Sequence, residues 1–295
     1  MDAAAFEQLA SGLSGSELQS VLLEVMQHRA QTRTPAEVLG SYLRDRFCRP
    51  AAVDQRASLA IDAQLFAAAQ MFEAIELSPV APLGTCSSVA LTTQNRVLSA
   101  LRGTEVVSDP TNVLALECAA RLRATPAVPT HLATSQRVIR TQPVPNVPGY
   151  AQHFRIFVLA SGGVETQGHA FTIESLLGQI RTMLDALDRL ERHGYAFGAR
   201  RVDILAAPER AAIADRVAAE LGALASRKPL EHAYYSGGLR YMLWATAPDG
   251  ESMPLIDGGV FDWLAKLTSN RRAVYVATGA GSQRIGERFR VGQGG

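Results

Sequence analysis

The sequence predicts an α+β fold, a mostly antiparallel sheet flanked by helices, on three observations. Apolar residues recur at helical spacing through the first part of the chain; β-rich runs cluster between Gln136 and Ala160 and again from Tyr234 onward; and strands follow strands more often than they alternate with helices. No internal repeat and no low-complexity linker interrupts this order.

The elements read as follows. Phe6, Leu9 and Leu13, then Leu18, Val21, Leu22 and Val25, keep helical spacing, with Ser16 as the expected N-cap. Thr34-Pro35 opens a helix through Leu39, Tyr42, Leu43 and Phe47, with proline at the first helical position and Pro50 as its stop. Arg56 to Met71 is a third helical pattern, carrying Leu59, Ile61, Leu65 and Phe66. FEAIEL (Phe72 to Leu77) then alternates apolar and acidic residues, which suits a half-buried strand stopped by Pro79 and Pro82. Glu105 to Val107 is short and β-like, and Asn112 to Arg123 returns to helix. QRVIRTQ (Gln136 to Gln142) and FRIFVLA (Phe154 to Ala160) flank PVPNVPGY, whose three prolines and glycine predict a long connection between antiparallel strands.

Ile173 to His193 is the clearest amphipathic helix; the strand VDILAA and a helix over Ala211 to Leu224 follow. The remainder is β-rich: YYSGGLRYMLWAT, a turn at Pro248 to Gly250, MPLIDGG, a short helix in FDWLAKL, and AVYVATGAGSQRI at Ala273 to Ile285. On an alternating strand, one of Tyr234 and Tyr235 is expected to face away from any pocket.

Composition excludes several function classes. With 47% hydrophobic and 19% charged residues and a formal charge of +1, nothing global favours nucleic acid or an anionic membrane. Cys48, Cys86 and Cys118 form no C-x-x-C pair, which argues against a zinc ribbon, and an odd number gives no disulfide framework. The six histidines show no metal spacing, and no G-x-S-x-G elbow supports a hydrolase triad. The first residues carry Asp2 and Glu7 without a basic n-region, and no run approaches the ~20 apolar residues that span a bilayer, so a cytoplasmic location is expected. Asp262 and Glu165 stand as further polar candidates for a pocket, or as solvated charges.

The glycine turn in AVYVATGAGSQRI invites a dinucleotide reading, and fails it. Gly279 and Gly281 fit the first and third glycines of G-x-G-x-x-G, but the sixth position is Arg284. A βαβ unit also needs roughly 30 residues, more than follow the turn in this sequence. No Lys-Ser/Thr follows the glycines, so a P-loop is excluded as well.

A strand, G-x-G-x-x-R and a helix together resemble the third motif of the class II aminoacyl-tRNA synthetases, and the other segments resemble the histidyl-tRNA synthetase branch. HAYYSGGLRYMLWATAPDGESMPLIDGGVFDWL is similar to that branch's Y-Y-T-G strand, hairpin and G-G-R-Y-D segment, through Tyr234, Tyr235, Ser236 and Gly237 and then Gly258, Gly259, Val260, Phe261 and Asp262. QRVIRTQ, its loop and FRIFVLA resemble the second motif, and SDPTNVLALECAARL resembles the R-P-E-x-T segment with its following helix. Arg56 to Pro79 resembles the first motif, the helix and strand that form the dimer interface in the family. The resemblance covers about Arg56 to Arg288 and divides the chain into an N-terminal helical extension, residues 1–55, and a synthetase-like core, residues 56–295.

The resemblance implies ATP and Mg²⁺ as cofactors, with Arg140, Phe154, Gly279, Gly281 and Arg284 at the nucleotide and both arginines as the candidate catalytic groups. A guanidinium matches phosphate by paired, charge-assisted hydrogen bonds. It implies a small carboxylate or amino-acid-like ligand beside Thr111, Gln142, Tyr234, Tyr235, Ser236, Gly237, Gly258 and Gly259, and a homodimer. The departures matter equally. Thr111 replaces the family's ammonium-holding Glu, Leu230 stands where the histidine-branch Arg belongs (with Arg227 nearby but out of register), and Gln142 replaces an acidic residue. The loop that in the family is basic and meets tRNA is neutral here, which argues against tRNA, and no anticodon-binding domain follows within the sequence. Two readings stay open: an ATP-dependent ligase that activates another carboxylate for a non-tRNA acceptor, and a non-catalytic regulatory or interaction subunit, with residues 1–55 available to a protein partner.

Overall fold

The structure is a computed structural model and describes residues 2–143 and 152–292. All of PVPNVPGY after its first proline, together with the alanine that follows it (residues 144–151), thus lies outside the described residues. The elements in chain order are α1 (Ala3–Glu7), α2 (Gly15–Gln31), α3 (Pro35–Arg44), α4 (Gln55–Ala68), β1 (Glu73–Ala74), β2 (Val80–Pro82), β3 (Ser99–Ala100), β4 (Thr104–Val106), α5 (Pro110–Ala124), β5 (Thr130–Ile139) and β6 (His153–Val164). They continue with α6 (Ala170–Glu191), β7 (Arg200–Ala206), α7 (Ala211–Leu221), β8 (Ala225–Pro229), β9 (Leu239–Thr246), β10 (Ser252–Phe261), α8 (Trp263–Thr268), β11 (Ala273–Ala280) and α9 (Ser282–Arg288).

Local chemistry explains where the first helices start. Ser14, not the expected Ser16, caps α2: its hydroxyl accepts from Glu17 N at 3.3 Å while the Glu17 carboxylate accepts from Ser14 N at 2.8 Å. Ser16 has Gln19 three residues on, which could close a box of the same kind, but the Gln19 side-chain oxygen accepts from Arg102 N instead, and the box closes at Ser14 and Glu17. Thr34 forms the same box with Glu37, and Pro35 takes the first helical position as expected. That helix ends at Arg44, earlier than Pro50, because Asp45 turns to extended backbone. Helices α1 to α3 bury no residue and leave Phe6, Val25, Met26, Leu39 and Leu43 exposed. This segment touches the remainder through Gln19, whose side-chain oxygen accepts from Arg102 N at 2.6 Å, and through the Arg49 carbonyl, 2.6 Å from His153 Nε2.

Eight strands form the main sheet in the order β1-β5-β6-β11-β10-β9-β7-β8, and β2, β4 and β3 form a small second sheet. The main sheet is antiparallel throughout its middle; only the outer pairs, β1–β5 and β7–β8, are parallel. FEAIEL contributes just Glu73 and Ala74 to it, paired with Leu132 and Ala133. YYSGG is not strand at all: Gly237 N bonds to Val260 O and Gly238 turns through φ 77°, so β9 begins at Leu239.

The sheet separates two apolar cores. Alternation puts Val276 and Ala280 of β11 into one, with Phe157, Leu159, Leu243 and Val202, under α4, α6, α7 and α9. Tyr275 and Ala277 enter the other, with Leu132, Val158 and Ala160, under α5 and α8. At the centre a buried polar network pins α6 to the sheet. Gln179 Nε2 donates to Ser161 Oγ and to the Val276 carbonyl, each at 3.0 Å, and its Oε1 accepts from Thr278 Oγ1 at 2.6 Å. The Tyr241 hydroxyl meets the same Thr278 Oγ1. These polar atoms satisfy one another, which is what permits their complete burial. Among the described residues, no helix is long and apolar enough to cross a membrane.

A second buried polar group is less well satisfied. Asp62 on α4 accepts from Ser135 Oγ at 2.7 Å and Arg155 Nη1 at 3.2 Å through Oδ2, while Oδ1 has no hydrogen-bond partner among the described residues. Burial, outweighing these bonds, raises its pKa above the ordinary carboxylate value. The folded state thus binds a proton that the unfolded chain has released. Its contribution is fullest below the unfolded pKa and is lost as pH rises through the folded one. Urea unfolding followed as pH rises above the ordinary carboxylate value of about 4 is expected to show wild type losing more stability than the Asp62→Asn variant, which lacks this contribution.

Candidate functional site

A cavity of about 480 Å³ opens on the α5 side of the sheet, over β6, β11 and β10. Its floor comprises Phe154 and Ile156 of β6, Ala277 and Gly279 of β11, and Asp257 and Gly258 of β10. Gly281 and the half-buried Arg284, just beyond β11, complete one end.

Arg140 sits one residue past β5 and extends its ladder, donating its backbone N–H to the Gln152 carbonyl at 2.9 Å. The side chain is held on three sides. Nε donates to the Ser108 carbonyl at 3.0 Å, Nη2 lies 3.4 Å from Asp109 Oδ2, and the guanidinium carbon stands 5.1 Å from the Phe154 ring centre. Asp109 caps α5 with its other oxygen, which accepts from Thr111 N at 3.1 Å and Thr111 Oγ1 at 2.8 Å. The Asp-Pro-Thr sequence therefore builds the helix start and aims a carboxylate at Arg140 in one step.

The opposite wall is aromatic. Tyr234 and Tyr235 leave the turn before β9 with ring centres 5.4 Å apart, and Tyr235 packs 5.3 Å from Phe261. Because they occupy a turn and not a strand, alternation does not separate them, and both line the cavity. Burial pushes both hydroxyl pKa values up, so they act as neutral phenols. Arg240 crosses the Tyr235 ring at 5.0 Å and makes a two-pronged pair with Asp257, Nε at 2.9 Å and Nη2 at 2.6 Å. Cys86 also lines the cavity, but burial raises its pKa, so it is a thiol and not a ready nucleophile.

Of the residues singled out from sequence, Arg140, Phe154, Gly279, Gly281, Arg284, Thr111, Gln142, Tyr234, Tyr235 and Gly258 line this one cavity. Ser236, Gly237 and Gly259 do not; hydrogen bonding accounts for the serine and close packing for the two glycines. Ser236 Oγ donates to Asp262 Oδ1 at 2.6 Å and accepts from Asp262 N at 3.1 Å. A Cβ on Gly237 would fall 2.6 Å from the Val260 backbone, and one on Gly259 would fall 2.3 Å from the Leu239 carbonyl and 2.5 Å from the Tyr235 ring. Gly258 gives backbone to the cavity, yet its own Cβ would strike Thr278 Oγ1 on the far side, at 2.5 Å. Asp262 pairs with Lys266, and Glu165 bonds Thr166 N and the Thr172 side chain at the start of α6, away from the cavity. Leu230 packs against the α5-side core, and Arg227 bonds Asp215 at 2.9 Å.

Sequence reasoning missed Asp109, Arg96, Arg240 and Asp257, which bring the lining to four arginines against two aspartates. Asp109 was signalled by the Asp-Pro pair at a helix start; Arg240 and Asp257 stand on neighbouring strands, but only the register shows that they meet.

With the geometry in place, comparison with solved structures defines the fold as a class II synthetase-like core. An ATP phosphoribosyltransferase regulatory subunit/histidyl-tRNA synthetase from Bacillus halodurans C superposes with a TM-score of 0.61 at 15% identity, over 81% of this chain and 80% of that one. Apo histidyl-tRNA synthetase of S. aureus gives 0.57 at 13% identity, over 80% and 67%. A histidine–tRNA ligase subunit from Alicyclobacillus acidocaldarius gives 0.59 at 12% identity, over 81% and 96%. No protein-family model matches the sequence, and no curated protein does. At these identities the likeness is one of fold.

The glycines divide into two kinds with different expected outcomes. Gly259→Ala forces a methyl into Leu239 and Tyr235, and denaturant unfolding is expected to show a loss of about 1–3 kcal/mol or more. Gly279→Ala meets nothing nearer than Ile156 Cγ2 at 3.6 Å, so stability should stay within about 0.5 kcal/mol of wild type while the methyl narrows the cavity floor.

Proposed function

We propose that the chain is a divergent histidyl-tRNA synthetase-like paralogue that binds ATP and a small carboxylate or amino-acid-like ligand in this cavity, and is not an orthodox tRNA synthetase. One observation carries the reading: Arg140 and Arg284, far apart in sequence, line a single cavity whose floor at Gly279 has no side chain. The residues fit the nucleotide. Phe154 offers an aromatic ring, over which the Arg140 guanidinium already stands, Gly279 leaves room against the sheet, and the arginines supply positive charge for phosphates. Among the described residues no group of three or more His, Cys, Asp or Glu is placed to hold a metal ion, so Mg²⁺ would rest chiefly on the phosphates. The neutral Tyr234 and Tyr235 hydroxyls and Thr111 line the same cavity, Thr111 joined to Arg140 through Asp109, and offer polar groups to a second small ligand.

A regulatory or interaction subunit is the second reading, and two observations favour it. Arg140 is already engaged by Asp109 and the Ser108 carbonyl, and residues 1–55 display an apolar face with no buried residue in their helices. The Bacillus halodurans neighbour is itself described as a regulatory subunit/histidyl-tRNA synthetase. In this reading residues 1–55 form an extension for a protein partner and 56–295 the core, in a cytoplasmic homodimer through α4, β1 and the residues between them, where Leu59 and Met71 are exposed. The third reading, a ligase passing an activated carboxylate to a non-tRNA acceptor, uses the same cavity.

Calorimetry with ATP–Mg²⁺ tests the nucleotide reading. Wild type should bind, and Arg284→Ala should bind about tenfold more weakly or worse. Failure of wild type to bind, or equal binding by both, removes it. Pyrophosphate exchange across a panel of carboxylic acids then separates the rest: exchange with any acid marks a ligase, and silence from an ATP-binding protein marks the regulator.

A further inference from the structure

The segment between β2 and β3 roofs the cavity and contributes Cys86, Thr92 and Arg96 to its lining. Its placement follows from one buried carboxylate. Glu105, 2% exposed, accepts from Gly84 N, Cys86 N and Gln94 Nε2, each at 2.8 Å. A buried carboxylate with no hydrogen-bond donors would be costly, and these three donors tie both ends of the roof to β4. From the other side, Thr141, adjacent to Arg140, donates its N–H to the Arg96 carbonyl at 3.0 Å and its hydroxyl to the Asn95 carbonyl at 2.5 Å. The Arg96 backbone is therefore fixed beside the strand end that presents Arg140.

Charge decides what Arg96 is for. Each aspartate in the lining already has an arginine, Asp109 with Arg140 and Asp257 with Arg240. Arg96 makes no side-chain hydrogen bond or ion pair among the described residues, and it is exposed at the cavity rim. The loop that follows Arg140, PVPNVPGY, contains no cation. Positive charge for the outer part of a bound anion would thus come from the roof, alongside Arg284, and not from the loop.

We propose that Arg96 contacts the terminal phosphates of a nucleoside triphosphate whose inner phosphate lies at Arg140. This rests on the nucleotide reading above and adds a binding residue, with Glu105 and Gln94 as positioning residues. Arg96 then distinguishes triphosphate from monophosphate, because AMP has no group that reaches the rim.

Calorimetry with ATP–Mg²⁺ and with AMP, on wild type, Arg96→Gln and Arg96→Lys, tests it. Arg96→Gln should lose about tenfold in ATP affinity, keep AMP affinity within about twofold, and melt at the wild-type temperature. Arg96→Lys should recover part of the loss, since an ammonium keeps the charge without the paired geometry. ATP affinity unchanged in Arg96→Gln, or ATP and AMP falling together, overturns the assignment. Wild type binding neither nucleotide overturns the nucleotide reading itself, and this inference with it.

Discussion

Gln179 holds the centre of this molecule in register. One amide joins β6 through Ser161, the Val276 carbonyl and the Thr278 hydroxyl of β11, and Tyr241 of β9 reaches the same threonine. In a strand a one-residue slip exchanges its two faces. A slipped β11 would turn Thr278 toward the cavity and push Gly279 under α6, leaving the Gln179 oxygen without its donor in a fully buried site. The network thereby sets which side of β11 faces the cavity. Gly258 belongs to this arrangement: it leaves space for Thr278 and Tyr241 to touch.

The two faces of the sheet have separate duties. Beneath α4, α6, α7 and α9 lies a continuous apolar core, broken only by groups such as Gln179 and Asp62 that must find partners inside it. On the other face α5 and α8 cover only part of the sheet, and the uncovered part is the cavity. Its walls come from segments distant in sequence: the Glu105-anchored roof, the α5 start, the end of β5, the tyrosine turn and the residues after β11. Internal ion pairs occupy Arg140 and Arg240, so an anionic ligand meets a cavity whose charges are already partly balanced. That balance bears on whether the site turns a reaction over or only holds a ligand, because a preorganised but engaged guanidinium must exchange one anion for another.

Much of this was readable from residues alone, for identifiable reasons. Long periodic segments such as α6, and paired β-rich runs such as β5 and β6, carry strong patterns and appear where expected. G-x-G-x-x-R announced the end of β11 and a cavity-lining arginine. Errors came where pattern is weak or degenerate. FEAIEL alternates like a strand, yet only two residues pair, because it lies at the sheet edge. YYSGG looked β-rich by composition, but the Gly237–Val260 contact and the positive φ of Gly238 make it a turn, and that brings both tyrosines to one cavity. Gly237, Gly259 and Ser236 seemed ligand-facing by resemblance; the two glycines allow close packing, and the serine hydrogen-bonds Asp262. Arg96, Arg240 and Asp257 carried no local signal, since their meaning depends on which distant residues they face.

The central claim is that the glycine floor at Gly279, between Phe154 and Arg284, is a nucleotide seat. A crystal structure grown with a non-hydrolysable ATP analogue and Mg²⁺ tests it most directly. The account predicts the base against Phe154, the nucleotide lying over Gly279, and phosphates reaching Arg140 and Arg284. An analogue bound elsewhere, or a cavity that stays empty at saturating analogue, would contradict it.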